Sequence, residues 1–300
     1  MGLGADEQTQ FTVDTSKCIR CGRCVAVCTG MVIEQGEDGL PHMLPFEHFG
    51  WRGCWRCEHC LAVCPTGALS IFGKNPEDSL PPAPPETGEY LEQVVANRRS
   101  CRRYRDENVD PAIIDRIMAA MQNVPAGGNA QSTEYTVVDD KDRMRQIRDV
   151  AYAAMKEAAA HKRYTSSFDD FYYAKMKQSE ATVRKGDLLF CGAPHLFVAH
   201  VKATGRWAAD YAINCNLATA YFELLANAHE LGTVIMSYPS DVLCELAPEA
   251  REMLGIPADH YMKLIVGFGY PEIPYARGVQ KDRRKVHRWT EQSGGQLNLL

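Results

Sequence analysis

The 300-residue sequence has no apolar run long enough to cross a bilayer. Its first twenty residues carry Asp6, Glu7 and Gln8 where a signal peptide would place a basic start and a greasy middle. The expectation is a cytoplasmic protein with no membrane partner. An excess of positive charge is also missing, and the formal net charge of -5 gives no general bias toward nucleic acid. The one glycine cluster that could suggest a dinucleotide fold, "GFGYPE" (267–272), lacks a third glycine and follows an apolar strand near the end of the chain. A Rossmann site is therefore unsupported. In a reducing compartment, twelve cysteines do not read as a disulfide framework, so the clustered ones read as metal ligands.

Eight of these cysteines fall in an internal repeat. "CIRCGRCVAVC" (Cys18 to Cys28) aligns without gaps on "CWRCEHCLAVC" (Cys54 to Cys64), sharing four cysteines, an arginine and an Ala-Val pair. The segments that follow, "TGMVI" and "PTGALSI", both read as a turn into a short apolar strand. Zinc sites usually pair two C-x-x-C knuckles across a longer gap. Three thiolates at x2 spacing followed by a fourth at x3 match instead the bacterial ferredoxin run, whose fourth cysteine serves the other cluster. That rule gives one 4Fe-4S cluster to Cys18, Cys21, Cys24 and Cys64, and a second to Cys54, Cys57, Cys60 and Cys28. Residues 10 to 75 thus resemble the two-cluster bacterial ferredoxin domain. Two departures stand out: Thr29 takes the place of a proline, and a long insertion carries Phe46, Phe49 and Trp51. Those aromatics either shield the clusters from water or dock on the second domain. His59 is read as a donor to the ligand sulfurs or as an exposed side chain rather than a ligand.

The proline-rich stretch Lys74 to Gly88 reads as an extended, semi-rigid spacer. This gives a cluster domain over 1–75, a linker over 76–88 and a second domain over 89–300. In the second domain Asp110 and Pro111 open a helix whose Ile113, Ile114, Ile117, Met118 and Met121 share one face. "EYTVVDD", "HLFVAHV", "GTVIMS" and "YMKLIVG" read as strands, separated by helical stretches near 142–163, 169–186, 208–231 and 240–254. The fold class expected is α+β, a mainly antiparallel sheet flanked by helices.

Basic clusters stand at both ends of this domain, "RRSCRRYR" (98–105) and "ARGVQKDRRKVHRW" (276–289). In a net acidic chain they suggest a shared anion such as a phosphate monoester held by arginine forks, against the plainer readings of solvated surface or a nucleic-acid patch. The aromatic segment 163–187, with Tyr164, Phe168, Phe171, Tyr172 and Tyr173, reads as a pocket wall, a packing face or a dimer interface. Cys101, Cys191, Cys215 and Cys244 share no ligand spacing and read as buried hydrophobes. Cys101 also invites a check for reactivity, because adjacent guanidinium groups lower a thiol pKa.

Four motifs in order, "RRSCRRY", "PAGGNAQ", "NCNLATAYFELLANAHELGT" and "GFGYP", make residues 89 to 290 resemble the FMN-dependent nitroreductase family. The resemblance implies that Arg98, Arg99 and Ser100 contact the FMN phosphate region and that Arg102 approaches the N1/O2 edge of the ring. It implies that Pro125, Ala126, Gly127 and Asn129 cover the flavin from the partner subunit, so the chain is expected to be a homodimer with FMN at the interface. Ser237 and Tyr238 match the segment facing the N5 edge, with an ordinary strand end as the alternative. Arg283 and Arg284 match the C-terminal phosphate contacts, with Lys281 able to take one place. Where the family usually continues with Gln-Pro-Trp, this chain has Gln131, Ser132 and Thr133, which puts the substrate pocket, and nitroaromatics as substrates, in question. No residue is assigned as catalytic.

Clusters change by one electron and flavin accepts one or two, so the expected activity is a two-electron reduction of a small organic substrate fed by ferredoxin or flavodoxin. The competing readings are a nicotinamide-dependent nitroreductase or quinone reductase and a non-catalytic electron-transfer subunit. Nitro groups, quinones, activated double bonds and carbon-halogen bonds are all candidate targets.

Overall fold

In the computed structural model, which describes residues 8–165, 168–180, 187–282 and 284–287, the two cysteine repeats close on each other as halves of one unit. Strand β1 (Thr12–Val13) pairs antiparallel with β4 (Leu69–Ser70), and β2 (Ile33–Gln35) forms a hairpin with β3 (Pro41–Met43). Each repeat contributes a single helical turn, α1 (Arg23–Ala26) and α2 (His59–Ala62). The duplication extends to the backbone. Arg20 and Arg56 have φ of 55° and 54°, Gly22 and Glu58 have 70° and 57°, and Met31 and Gly67 have 53° and 61°. Left-handed non-glycine residues cost of order 1 kcal/mol, so their recurrence at matched positions marks the same inward wrap of chain in both halves.

The apolar centre of this unit is small: Val32, Ile33, Leu61, Leu69 and Ile71, together with Cys54 and Cys60. Phe46 and Phe49 pack against it and meet each other edge to face, with ring centroids 5.2 Å apart. Trp51 points the other way and remains 74% exposed. The two roles weighed for these aromatics are thus divided, with the phenylalanines inward and the tryptophan outward. The spacer holds a 3-10 turn at Pro76–Asp78, capped by the Asn75 side chain accepting from the Glu77 N–H, and its last two residues, Thr87 and Gly88, already belong to the helix that follows.

Beyond it, helix α3 (Thr87–Asn97) leads to a four-stranded sheet of β5 (Glu134–Val138), β6 (His195–His200), β7 (Gly232–Met236) and β8 (Ile265–Gly269), in the order β5-β6-β8-β7. Every neighbouring pair is antiparallel. All six residues of β6 are buried, because helices cover both faces. One face packs on α5 (Lys141–Ala160), α8 (Tyr238–Glu245) and α9 (Pro248–Met253). The other packs on α4 (Pro111–Met121) and α7 (Ala208–Ala228). Helix α4 starts as its sequence dictates, with Asp110 accepting from the Ala112 N–H and Ile114, Ile117 and Met121 buried. On α7, Phe222 stacks at 4.0 Å on Phe197 and meets Phe268 edge-on at 5.2 Å.

Two expectations change. The helix expected over 240–254 is two helices, because Pro248 lacks an N–H and its ring would collide with the preceding turn. The aromatic segment forms α6 (Asp170–Glu180), with 166–167 and 181–186 outside the described residues. Phe168 is 1% exposed in the core and Tyr172 and Tyr173 pack beside it, so this side of the segment is a packing face. Among the described residues, no helix is long and apolar enough to cross a membrane.

Candidate functional site

The fold gathers the eight clustered cysteines into two sets. Cys18, Cys21, Cys24 and Cys64 line one small cavity, and Cys28, Cys54, Cys57 and Cys60 line another. Each set takes three members from one repeat and one from the other, as in the bacterial ferredoxin run that the spacing resembles. The walls are otherwise mostly apolar, with Val13, Val25 and Leu69 around the first and Val32, Ile33 and Ile71 around the second. Burial pushes the Cys60 thiol up to about 12 and also raises Cys24 and Cys54. Cys64 is opposed by burial too, but the N–H groups of Thr66 and Ala68 outweigh it and its pKa falls. Apolar cavities lined by four thiols do not stabilise thiolates by themselves. The donor set fits a bound cationic iron-sulfur core, which would supply that compensation. His59 is exposed at the rim of the second cavity.

The arginine motif runs beside the sheet edge. Ser100 bridges Thr233 in parallel, and the Cys101 N–H donates to the Thr233 carbonyl at 2.6 Å. This holds Arg98 to Arg102 next to β7, whose last residue, Met236, is followed by Ser237 and Tyr238. Arg98 forms an ion pair with Glu223 of α7 at 3.0 Å. Arg102 is exposed and donates to the Ser100 carbonyl at 3.2 Å. Arg99 is the telling residue, since its Nε and Nη2 are buried with no hydrogen-bond partner. Unsatisfied charged donors are expensive, and these fit an anion such as a phosphate. The tail reaches the same place: a Cβ added to Gly278 would lie 3.3 Å from Arg99 Nη2. The two basic ends of the domain do converge, although Lys281 and Arg284 are exposed and Arg283 lies outside the described residues.

Tyr238 stacks on Tyr172 at 3.9 Å, and its hydroxyl is buried without a hydrogen-bond partner. Burial raises its pKa well above the usual phenol range. Cys101 is buried, as expected, rather than activated by its arginine neighbours. Burial raises its pKa, outweighing the lesser pull of Arg102, and its S–H donates to the Arg103 carbonyl at 3.1 Å. Cys191 and Cys215 are buried as expected, whereas Cys244 is exposed, its sulfur accepting from Arg251 Nη1.

The Pro125–Asn129 loop does not meet the arginine motif within one chain. Its Gly127 N–H donates to Asn214 Oδ1 at 3.0 Å, while Arg98 meets Glu223, which lies about 13 Å further along α7 at helical rise. The loop instead faces the cysteine domain. Asn129 Nδ2 donates to the carbonyls of Trp55 and Arg56 at 2.9 and 3.0 Å, both between the ligand candidates Cys54 and Cys57. Trp51 packs edge-on against Trp55 at 4.6 Å and lies 3.4 Å from where a Gly128 Cβ would sit. Gly128 itself has φ of 61°, a conformation that favours glycine. A cavity of about 590 Å³ opens between the domains, bordered by Trp51, Trp55, Arg56, Trp207 and Tyr211.

Sequence reading did not single out Trp55, Arg56, Glu223 or Asn214. Glu223 carried a signal, as an acid inside the apolar run Tyr221–Leu225 of a chain with an arginine cluster. The peptide carbonyls that receive Asn129 carried none, because they belong to no side chain.

Comparison with known proteins places two family models on the chain. Residues 95–270 match the model of the nitroreductase family, and residues 10–69 match that of the 4Fe-4S dicluster domain. An NADH dehydrogenase of Thermus thermophilus is 26% identical over 195 residues, covering 59% of this chain and 85% of the relative. A ferredoxin of Pyrobaculum islandicum is 34% identical over 61 residues, covering 20% of this chain and 51% of that protein. A nitroreductase of Desulfitobacterium hafniense, solved with bound FMN, shares the fold with a TM-score of 0.50 at 21% identity, over 64% of this chain and 94% of that one. The chain is thus a member of the nitroreductase family of oxidoreductases, carrying a 4Fe-4S dicluster domain ahead of its catalytic fold.

Proposed function

We propose that residues 1–75 hold two 4Fe-4S clusters, that residues 89–300 hold FMN, and that the protein uses electrons from ferredoxin or flavodoxin to reduce a small organic molecule by two electrons. The observation that carries this reading is the Asn129 contact. A loop with the flavin-covering signature is hydrogen-bonded to the peptides between Cys54 and Cys57. It makes the Cys28, Cys54, Cys57 and Cys60 set the one facing the flavin loop, and leaves Cys18, Cys21, Cys24 and Cys64 for the incoming donor. Bound in these places, the clusters supply single electrons and FMN delivers them in pairs.

The chain's own residues have distinct tasks in this reading. Arg99 offers its orphaned donors to the phosphate, with Arg98 and Ser100 beside it and the tail residues Arg283 and Arg284 completing the cradle. Arg102 supplies positive charge to the edge of the ring that becomes anionic on reduction. Ser237 and Tyr238 border the reacting face. Pro125, Ala126, Gly127 and Asn129 close over the flavin of the partner subunit, which accounts for their distance from the arginines of their own chain. Helix α7 suits such a dimer, because Ile213, Leu217 and Tyr221 share one face and stay 54%, 39% and 44% exposed.

The test is anaerobic mixing of oxidised holoprotein with reduced ferredoxin, and separately with NADH and NADPH. Flavin bleaching by ferredoxin, with slow bleaching by either nicotinamide, is the expected outcome. Rapid bleaching by a nicotinamide would replace the proposed donor, as the name of the Thermus relative suggests.

A further inference from the structure

A second polar cluster lies on the open edge of the sheet, outside both cysteine cavities and the arginine motif. Strand β5 is an edge strand, and the register places Glu134 directly opposite His200 of β6, so the two side chains leave the same face. The turn ending at His260 is fastened to the same spot. Val201 and Tyr261 exchange both backbone hydrogen bonds, at 3.1 and 2.7 Å, just beyond the end of β6. The result is a convergence of three ligating groups: donor atoms of Glu134, His200 and His260 all lie within 4.8 Å of one another.

The geometry inside the cluster is specific. His200 Nδ1 faces His260 Nδ1 at 2.9 Å, and His260 Nε2 is 4.0 Å from Glu134 Oε1. His200 is 3% exposed and the His260 side chain 8%. On its far side, His200 Nε2 lies 3.0 Å from Thr136 Oγ1. With Nε2 carrying the proton and donating to that hydroxyl, Nδ1 presents a lone pair to His260. The 2.9 Å gap between the two Nδ1 atoms is bridged either by a proton carried on His260 Nδ1 or by a metal ion. We infer that Glu134, His200 and His260 form a binding site for a divalent transition metal of the zinc class, unrelated to the iron-sulfur cysteines.

The chemistry supports this choice of metal. Two imidazoles and a carboxylate suit zinc, whereas calcium and magnesium prefer all-oxygen sets. Zinc–nitrogen bonds of 2.0–2.1 Å at a tetrahedral angle put two ring nitrogens about 3.3 Å apart, a few tenths of an ångström from the present separation. Thr136 plays the orienting part that a partner of the other ring nitrogen commonly plays in metal sites. Glu134 approaches from solvent, which leaves a fourth position for water. Arg251 lies nearby and works against a further positive charge. Its guanidinium is engaged by the carbonyls of Ile256, Pro257 and His260, and the Glu134 carboxylate supplies the opposing charge. Occupancy would tie together the end of β6, the 257–260 turn and the start of β5, three residues beyond Gln131 of the flavin-covering segment. The inference does not depend on the flavin reading.

The experiment uses anaerobically purified holoprotein with its iron intact, incubated with zinc sulfate and desalted, then measured for metal content and zinc K-edge absorption. One zinc per chain, bound only by nitrogen and oxygen at about 2.0 Å, is expected. Glu134→Gln, a change at an exposed position, and His260→Ala should lose the retained zinc while iron content stays unchanged. Thr136→Val should weaken zinc binding roughly 10- to 100-fold. No retained zinc, sulfur ligands at about 2.3 Å, or equal retention by Glu134→Gln and His260→Ala would overturn the inference.

Discussion

The cysteine domain and the sheet domain reach an ordered structure by different means. In the first, five aliphatic side chains and two cysteines make up the buried centre, and both ligand cavities open within it. In the second, a strand buried on both faces is covered by two separate apolar clusters, one around Met144, Ile147 and Leu196 and the other around Phe197, Phe222 and Phe268. A unit this small has too little apolar surface to offset its chain entropy and needs a staple. The sheet domain has the core the first one lacks. Among its described residues, Arg99 and Tyr238 at the proposed flavin site keep buried polar groups without partners.

This contrast can be broken most forcefully from the metal side. Removing iron by chelation, or replacing Cys60 with serine, should abolish the unfolding transition of the first domain while that of the second persists, as followed by calorimetry. A first domain that melts unchanged without iron would erase the distinction. The reverse experiment is Phe222→Ala. Truncating a ring that is 1% exposed and packed on Phe197 and Phe268 should cost about 3–5 kcal/mol in the second transition. Iron content should not change.

A smaller effect is expected at the seam. Asn129→Ala removes two hydrogen bonds to the Trp55 and Arg56 carbonyls, each worth about 1 kcal/mol. The two thermal transitions should separate, and proteolysis in the 76–88 spacer should accelerate. The smallest effect concerns pH. Burial lowers the pKa of His195 from 6.5, and the neutral ring accepts from the Val109 N–H at 3.0 Å while lying 3.2 Å from the Val138 carbonyl. The unfolded chain therefore binds a proton that the folded one excludes. This contribution to stability is complete above pH 6.5 and is lost as pH falls toward the lowered value. Denaturation of His195→Asn across that range should show a flatter acid limb, with the first domain unaffected.

Legibility in the sequence follows the same division. The cross-pairing of Cys64 with the first repeat and Cys28 with the second was readable because the x2, x2, x3 spacing matches the bacterial ferredoxin run, whose fourth cysteine serves the other cluster. The sheet strands and the α4 cap were readable because periodicity and Asp110-Pro111 are local signals. The break between α8 and α9 had a visible cause in Pro248, but the helical periodicity running through it masked the proline. The Arg98–Glu223 pair and the Asn129 contact were hidden, since each joins residues far apart in sequence and the second ends on backbone carbonyls. The division between Phe46 and Phe49 on the inside and Trp51 on the outside depended on which surface the second domain presents.

The central claim is that electrons reach the flavin across the contact between Asn129 and the Cys54–Cys57 segment. Anaerobic stopped-flow mixing of reduced ferredoxin with Cys57→Ser protein, in preparations that retain the first cluster and FMN, tests it most directly. The account predicts that flavin reduction by ferredoxin is lost while direct reduction by dithionite persists. Flavin bleaching by ferredoxin at the wild-type rate would contradict it.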